Sequence, residues 1–220
     1  MNLVQSSGAL ASTVPPDATA NDTGNTATQP APGLPRPSDG STPASGTDPA
    51  TAAPTAPVNA TSGCGSSSET GQFYQSISSG GKNRQYYVSI PAGYNPNVAA
   101  ALYVGVHGRD YDGIRMRDYL SLERHAQANE NFIYPDGLRR DWGGSSAIGW
   151  QNGPMGSIYG GMEDLAFFDD MLAKVRSDYC VDSNRIFVTG QSWGGDFSLV
   201  LACYRGNTFR ASVGVAANDP

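Results

Sequence analysis

The sequence predicts an α/β fold, a mostly parallel sheet with helices on both faces, from three observations. Unbroken apolar runs of strand length, such as Ala101-Leu102-Tyr103-Val104-Gly105-Val106, read as strands buried on both faces. These runs alternate with stretches of helical periodicity, the pattern of strand–helix–strand units. The run Arg185-Ile186-Phe187-Val188-Thr189 also leads directly into Gly190-Gln191-Ser192-Trp193-Gly194, a glycine-flanked junction followed by a helix-competent segment.

The elements follow in chain order. Residues 1–65 read as a disordered Pro/Thr/Ala/Ser-rich linker. The first 72 residues hold no aromatic, one basic residue (Arg36) and ten of the fifteen prolines. Such a stretch cannot bury enough apolar surface to offset chain entropy. It is either a tether to something upstream or a tail. The ordered domain is expected over 66–220. Gln85–Ile90 is rich in strand formers and stops at the turn cluster Pro91-Ala92-Gly93-Tyr94-Asn95-Pro96. The strand 101–106 runs into His107-Gly108. A helix is expected over 116–128, then a short strand at 131–134 ended by Pro135-Asp136-Gly137. Residues 138–160, rich in glycine, serine and tryptophan, read as a long functional loop. Met162, Leu165, Phe168, Leu172, Val175 and Tyr179 recur at threes and fours, a helix ending near Cys180. Val181-Asp182-Ser183-Asn184 reads as a turn. The strand 185–189, the serine junction, a helix through 197–203 and a last strand at 211–216 complete the series.

Composition limits the partners. The net charge of −6 argues against nucleic-acid binding. No apolar run reaches membrane-spanning length, and Met1–Gln5 shows no basic start to a secretory signal. The linker composition and the triplets Asn21-Asp22-Thr23 and Asn59-Ala60-Thr61 suit an exported protein. The three cysteines, Cys64, Cys180 and Cys203, fit no zinc or C-x-x-C spacing, so no metal or redox site is expected. Cys64 stands where it could pin the linker to the domain; equally, Cys180 and Cys203 could be buried free thiols.

Ser192 carries the chemistry. A serine hydroxyl is a weak nucleophile until a turn exposes it, a base takes its proton and N–H groups hold the oxyanion. G-x-S-x-G between a strand and a helix meets the first need, because the flanking glycines permit the sharp turn. The alternative is an ordinary glycine turn.

The wider set of motifs comprises Gln85-Tyr86-Tyr87-Val88, Pro91-Ala92-Gly93-Tyr94, Val104-Gly105-Val106-His107-Gly108, Tyr134-Pro135-Asp136-Gly137 and Gly149-Trp150. It continues through Glu163-Asp164-Leu165-Ala166-Phe167 and Cys180-Val181-Asp182 to the serine turn. Over residues 64–218 this set resembles the secreted feruloyl esterase and polyhydroxybutyrate depolymerase-like group of α/β-hydrolases. The resemblance implies that Ser192 is the acyl-forming nucleophile and that the Trp193 N–H helps hold the oxyanion. A second donor is implied near His107-Gly108-Arg109, with His107 a structural histidine of that loop. Arg109-Asp110 departs from the glycine or bulky apolar residue common in the group. Trp142 and Trp150 are candidates to stack an aromatic acid or a sugar, or else to pack against the end of the sheet.

In this fold the triad order is serine, acid, histidine. No histidine follows Ser192, so the base and acid are expected beyond residue 220 and the sheet is expected to lack its last strands. Asp219 is a weak acid candidate, and His125 is expected on a solvated face. The implied function is extracellular hydrolysis of plant cell-wall esters of feruloyl or acetyl xylan type, without a cofactor, on an ester-bearing polysaccharide. A polyester depolymerase and a non-catalytic binding protein on the same fold are the alternatives.

Overall fold

The backbone between Val181 and Arg205 sets the plan of the molecule. An eleven-residue strand enters a helix through one intervening residue, and the other elements arrange around that junction. The computed structural model describes residues 59–126, 129–153 and 156–218. The elements are β1 (Gly71–Ser79), β2 (Lys82–Ile90), β3 (Ala100–Val106), α1 (Gly113–Leu120), β4 (Glu130–Pro135), β5 (Leu138–Asp141), β6 (Ser146–Gly149), α2 (Glu163–Asp178), β7 (Val181–Gln191), α3 (Trp193–Arg205) and β8 (Ala211–Val215).

The main sheet runs β1-β2-β4-β3-β7-β8. β1 and β2 form an antiparallel hairpin, and β2 pairs antiparallel with β4. From β4 through β3 and β7 to β8 the strands are parallel. Side chains alternate across the sheet. Leu102, Val104 and Val106 face the larger core with Leu165, Phe168, Met171, Phe197 and Leu201 of α2 and α3. Tyr103 lies with Phe132, Tyr134 and Met116 of α1 on the other face. Helices therefore cover both faces, as expected. Four parallel strands end on one side of the molecule, where an open α/β sheet builds its ligand site.

Five expectations need correction. β1 went unread because its sequence is polar; each of its nine residues pairs with β2, and alternate side chains stay half-buried at the sheet edge. The helix expected over 116–128 is α1 plus a separate 3₁₀ turn, Leu122–His125, because Ser121 takes a left-handed conformation (φ 48°) between them. The 138–160 segment is not all loop: β5 and β6 form a separate antiparallel hairpin. Residues 181–184 are strand rather than turn, because Val181 pairs with Ala100 and Asp182 bridges Ala60.

The fifth correction concerns the linker boundary. Residues 59–65 are fastened to the domain. The Thr61 N–H donates to the Val181 carbonyl and the Gly63 N–H to that of Arg176. Thr61 Oγ1 donates to the Tyr179 carbonyl at 2.8 Å. Cys64 and Cys180 form a disulfide, leaving Cys203 as an exposed thiol. Partners more than 110 residues away hold this segment, which local composition cannot reveal. Residues 1–58 of the expected linker lie outside the described residues.

Candidate active site

Ser192 is the single residue between β7 and α3, with φ 55° and ψ −127°. For a residue with a side chain this backbone is strained by roughly 1–3 kcal/mol. Its surroundings enforce it. The Ser192 N–H donates to the Val215 carbonyl at 2.9 Å, and its own carbonyl accepts from the Asp196 N–H at 3.0 Å. A Cβ on Gly190 would stand 2.1 Å from the Gly194 carbonyl oxygen, and one on Gly194 2.2 Å from that of Val106. Only glycine fits at either position, which is the physical content of the motif. The Ser192 side chain makes no capping bond to α3 and lines a cavity of about 800 Å³. Trp193 opens α3, so its N–H lacks an intrahelical acceptor and sits at the positive end of the helix dipole.

The loop after β3 lies against this turn. A Cβ on Gly108 would come 2.9 Å from Gln191 Oε1 and 3.4 Å from Ser192 Cβ. His107 is fully buried. Its Nε2 accepts from the Gly137 N–H at 2.8 Å, and Nδ1 lies 2.6 Å from the Gly108 carbonyl, to which it donates. Burial lowers its pKa, against the smaller opposing pull of the Gly108 carbonyl, and keeps the ring neutral. Both nitrogens are engaged, so the ring has no lone pair left to take a proton from serine. His125, in the 3₁₀ turn, is exposed. Asp219 lies outside the described residues.

Trp150, expected among the substrate contacts, has no exposed surface. Its Nε1 donates to the His107 carbonyl at 2.8 Å, and its ring stacks on Phe197 at 5.3 Å. It braces the loop from beneath and does not face the cavity, because Gly149-Trp150 carries the chain from β6 back into the core. Trp142 is the tryptophan of that segment that reaches the cavity. It stacks on Tyr159 at 5.6 Å and meets Trp193 at 4.7 Å, and its Nε1 donates to the Ala147 carbonyl. Gly149 makes room for the Trp193 ring, which a Cβ there would approach to 2.8 Å.

A buried ion network lies beside this wall, with the Arg140 guanidinium 5.6 Å from the Trp142 ring centre. Asp164, with no exposed surface, accepts two hydrogen bonds from Arg140 of β5, each 3.0 Å, and pairs with Arg84 of β2 at 2.9 Å. It also accepts the Gln151 N–H at 2.9 Å. Burial pulls the Arg84 guanidinium below its ordinary pKa while Asp164 pulls it back up, and the guanidinium lies 3.9 Å from the Phe167 ring centre. Glu163 adds pairs to Arg140 (3.2 Å) and Lys82 (2.7 Å). Sequence reading missed Tyr159, Asn152 and Asp196 among the residues that line the cavity. Asp196 accepts from Asn152 Nδ2 at 3.1 Å and from the Asn218 N–H at 2.6 Å. The one available signal was the placement of Asp196 four residues after Ser192, one helical turn on.

The parallel strands, the strained serine at their carboxyl ends and the glycines packed around it decide the fold family. The chain has the α/β-hydrolase fold and is similar in sequence to fungal feruloyl esterases. Feruloyl esterase C of Emericella nidulans is 34% identical over 134 residues, which cover 58% of this chain and 44% of that protein. Feruloyl esterase D of Neurospora crassa is 32% identical over 143 residues, covering 60% and 44%. The chain thus spans a little under half the length of those relatives. Among solved structures, an S-formylglutathione hydrolase of Staphylococcus aureus superposes with a TM-score of 0.50 at 18% identity, covering 69% of this chain and 59% of that one. A fluorophosphonate-binding serine hydrolase of the same species gives 0.50 at 19%, covering 67% and 58%. These two bear on the fold alone. No family model matches the chain. No helix among the described residues is long and apolar enough to cross a membrane.

Proposed function

We propose that this chain carries the nucleophile of an extracellular serine esterase that cleaves aromatic or acetyl esters of plant cell-wall polysaccharide. The observation that carries the reading is Ser192, strained at the apex of the β7–α3 junction and opening on a cavity walled by Trp142, Tyr159 and Trp193. The feruloyl esterase names of its relatives support the substrate class. The cystine, together with the linker composition, supports an oxidising, extracellular setting.

Ser192 Oγ attacks the ester carbonyl and gives up its proton. The oxyanion is held by the Trp193 N–H and by the loop at His107-Gly108. The alcohol leaves with a proton, and water then releases the acid from the acyl-enzyme. His107 maintains the loop. Neither histidine is poised to take the serine proton: both ring nitrogens of His107 are engaged, and His125 stands in an exposed 3₁₀ turn.

Treating the chain with a fluorophosphonate probe tests this. Slow modification confined to Ser192 is expected, about 10⁴-fold or more below a complete triad. Added imidazole should speed it, and Ser192→Ala should abolish it. Modification that persists in Ser192→Ala would refute the assignment.

A further inference from the structure

We propose that Arg109 makes the Ser192 cavity a receptor for aryl carboxylates, so that the acid released by ester cleavage is held in preference to its neutral precursor. The relevance of such acids rests on the esterase reading, whereas the binding claim rests on the cavity itself. Arg109 follows Gly108, whose backbone abuts Ser192, so the guanidinium is rooted at the rim beside the serine and lines the same cavity. Its Nη2 donates to Ser145 Oγ at 2.7 Å, which ties it to the turn between β5 and β6.

The nearby carboxylates do not cancel this charge. Asp110 lies 3.5 Å from the Arg109 Nε but is shared with Arg139 at 3.7 Å. It also accepts the Ile148 N–H at 2.9 Å, so two guanidiniums face one carboxylate at this rim. Asp196, which also lines the cavity, pairs with three amide donors rather than with Arg109: Asn152 Nδ2, the Asn218 N–H and Asn218 Nδ2, at 3.1, 2.6 and 3.1 Å. Trp142, Tyr159 and Trp193 supply the aromatic wall on which a planar arene can lie.

A guanidinium offers five N–H donors in a fork that matches the two oxygens of a carboxylate. A neutral ester or amide presents one strong acceptor and no charge. Hydrolysis turns the neutral ester and water into carboxylate, alcohol and a proton, so the anion gains at Arg109 what the substrate lacks. The consequence for a working enzyme is retention of its acid product.

Calorimetric titration of the chain with cinnamate and with cinnamamide, matched in shape and differing in charge, tests this. Cinnamate is expected to bind about tenfold more tightly, as suits one charge-assisted contact at a half-exposed rim. The ratio should fall to about one in Arg109→Gln and recover in part in Arg109→Lys. Ser145→Ala, which frees the guanidinium without removing it, should lower the ratio by less. Thermal unfolding of each variant reports on folding, and the Lys and Ala variants still decide the matter if Arg109→Gln unfolds. A ratio unchanged in all three variants, or no cinnamate binding to the parent chain, would overturn the proposal. If the ratio behaves as stated while fluorophosphonate fails to modify Ser192, the esterase reading falls and the carboxylate site stands; the reverse result removes only this inference.

Discussion

The serine turn and the aromatic wall line the same cavity but are held by different forces. At the turn, backbone meets backbone: Gly190 against Gly194, Gly194 against Val106, and the Ser192 N–H on the Val215 carbonyl. No side chain is needed to close it, only the lack of two. The wall of Trp142 and Tyr159 lies instead against side chains that meet from far apart in sequence, Arg140 being 5.6 Å from the Trp142 ring centre. Arg84, Arg140 and Asp164 converge from β2, β5 and α2. The nucleophile's geometry is thus set by backbone sterics, while the pocket wall lies against a network of buried charges. Substitutions should separate the two.

The largest effect is expected at Asp164. Asp164→Ala leaves Arg84 buried without its partner and should cost about 3–5 kcal/mol in denaturant unfolding. Near-UV circular dichroism should lose the coupled Trp142–Trp193 signal even under conditions where the sheet stays folded. Retention of that signal would show that the wall stands without the network.

Next, Gly194→Ala should cost about 3 kcal/mol, since its methyl would meet the Val106 and His107 carbonyl oxygens at 2.2 and 2.4 Å. Fluorophosphonate modification of Ser192 should be lost with it, whereas the Trp142–Trp193 signal should survive in the fraction that folds.

Reducing the Cys64–Cys180 bridge frees a loop closed across 116 residues and should lower stability by about 2–4 kcal/mol. This serves as a control, because it lies at the opposite, amino-terminal end of β7 and should leave both regions intact.

The smaller effects concern the serine and the histidine. Ser192→Gly relieves the positive φ and should stabilise the chain by about 1 kcal/mol while ending modification; a loss of stability would mean the turn is not strained. His107 is kept neutral by burial, so below its ordinary 6.5 the unfolded chain binds more protons than the folded one. Stability should therefore fall as pH drops through that value, and His107→Gln should flatten the slope in pH-dependent unfolding.

How much of this was legible in the sequence follows from the same contrast. The strands of continuous apolar residues, the helix spacing of α2 and the serine junction could be read directly, because period and glycine placement are local properties. The linker boundary, the polar strand β1 and the β5–β6 hairpin could not. Each depends on partners distant in sequence, as when Cys180, Tyr179 and Val181 hold residues 61–64. Trp150 and Trp142 make the point most sharply. Two tryptophans in one glycine-rich segment look alike as text. One is a buried brace under His107 and the other a cavity wall, because the hairpin turns one ring toward Phe197 and the other toward Trp193.

The sequence by itself determined the layered α/β architecture and the glycine-flanked serine between strand and helix, since hydrophobic period and glycine spacing are written over a few residues. Only the tertiary structure decided which aromatic and charged groups surround that serine. Burial, ion pairing and ring stacking are settled by elements that meet in space after long stretches of intervening chain.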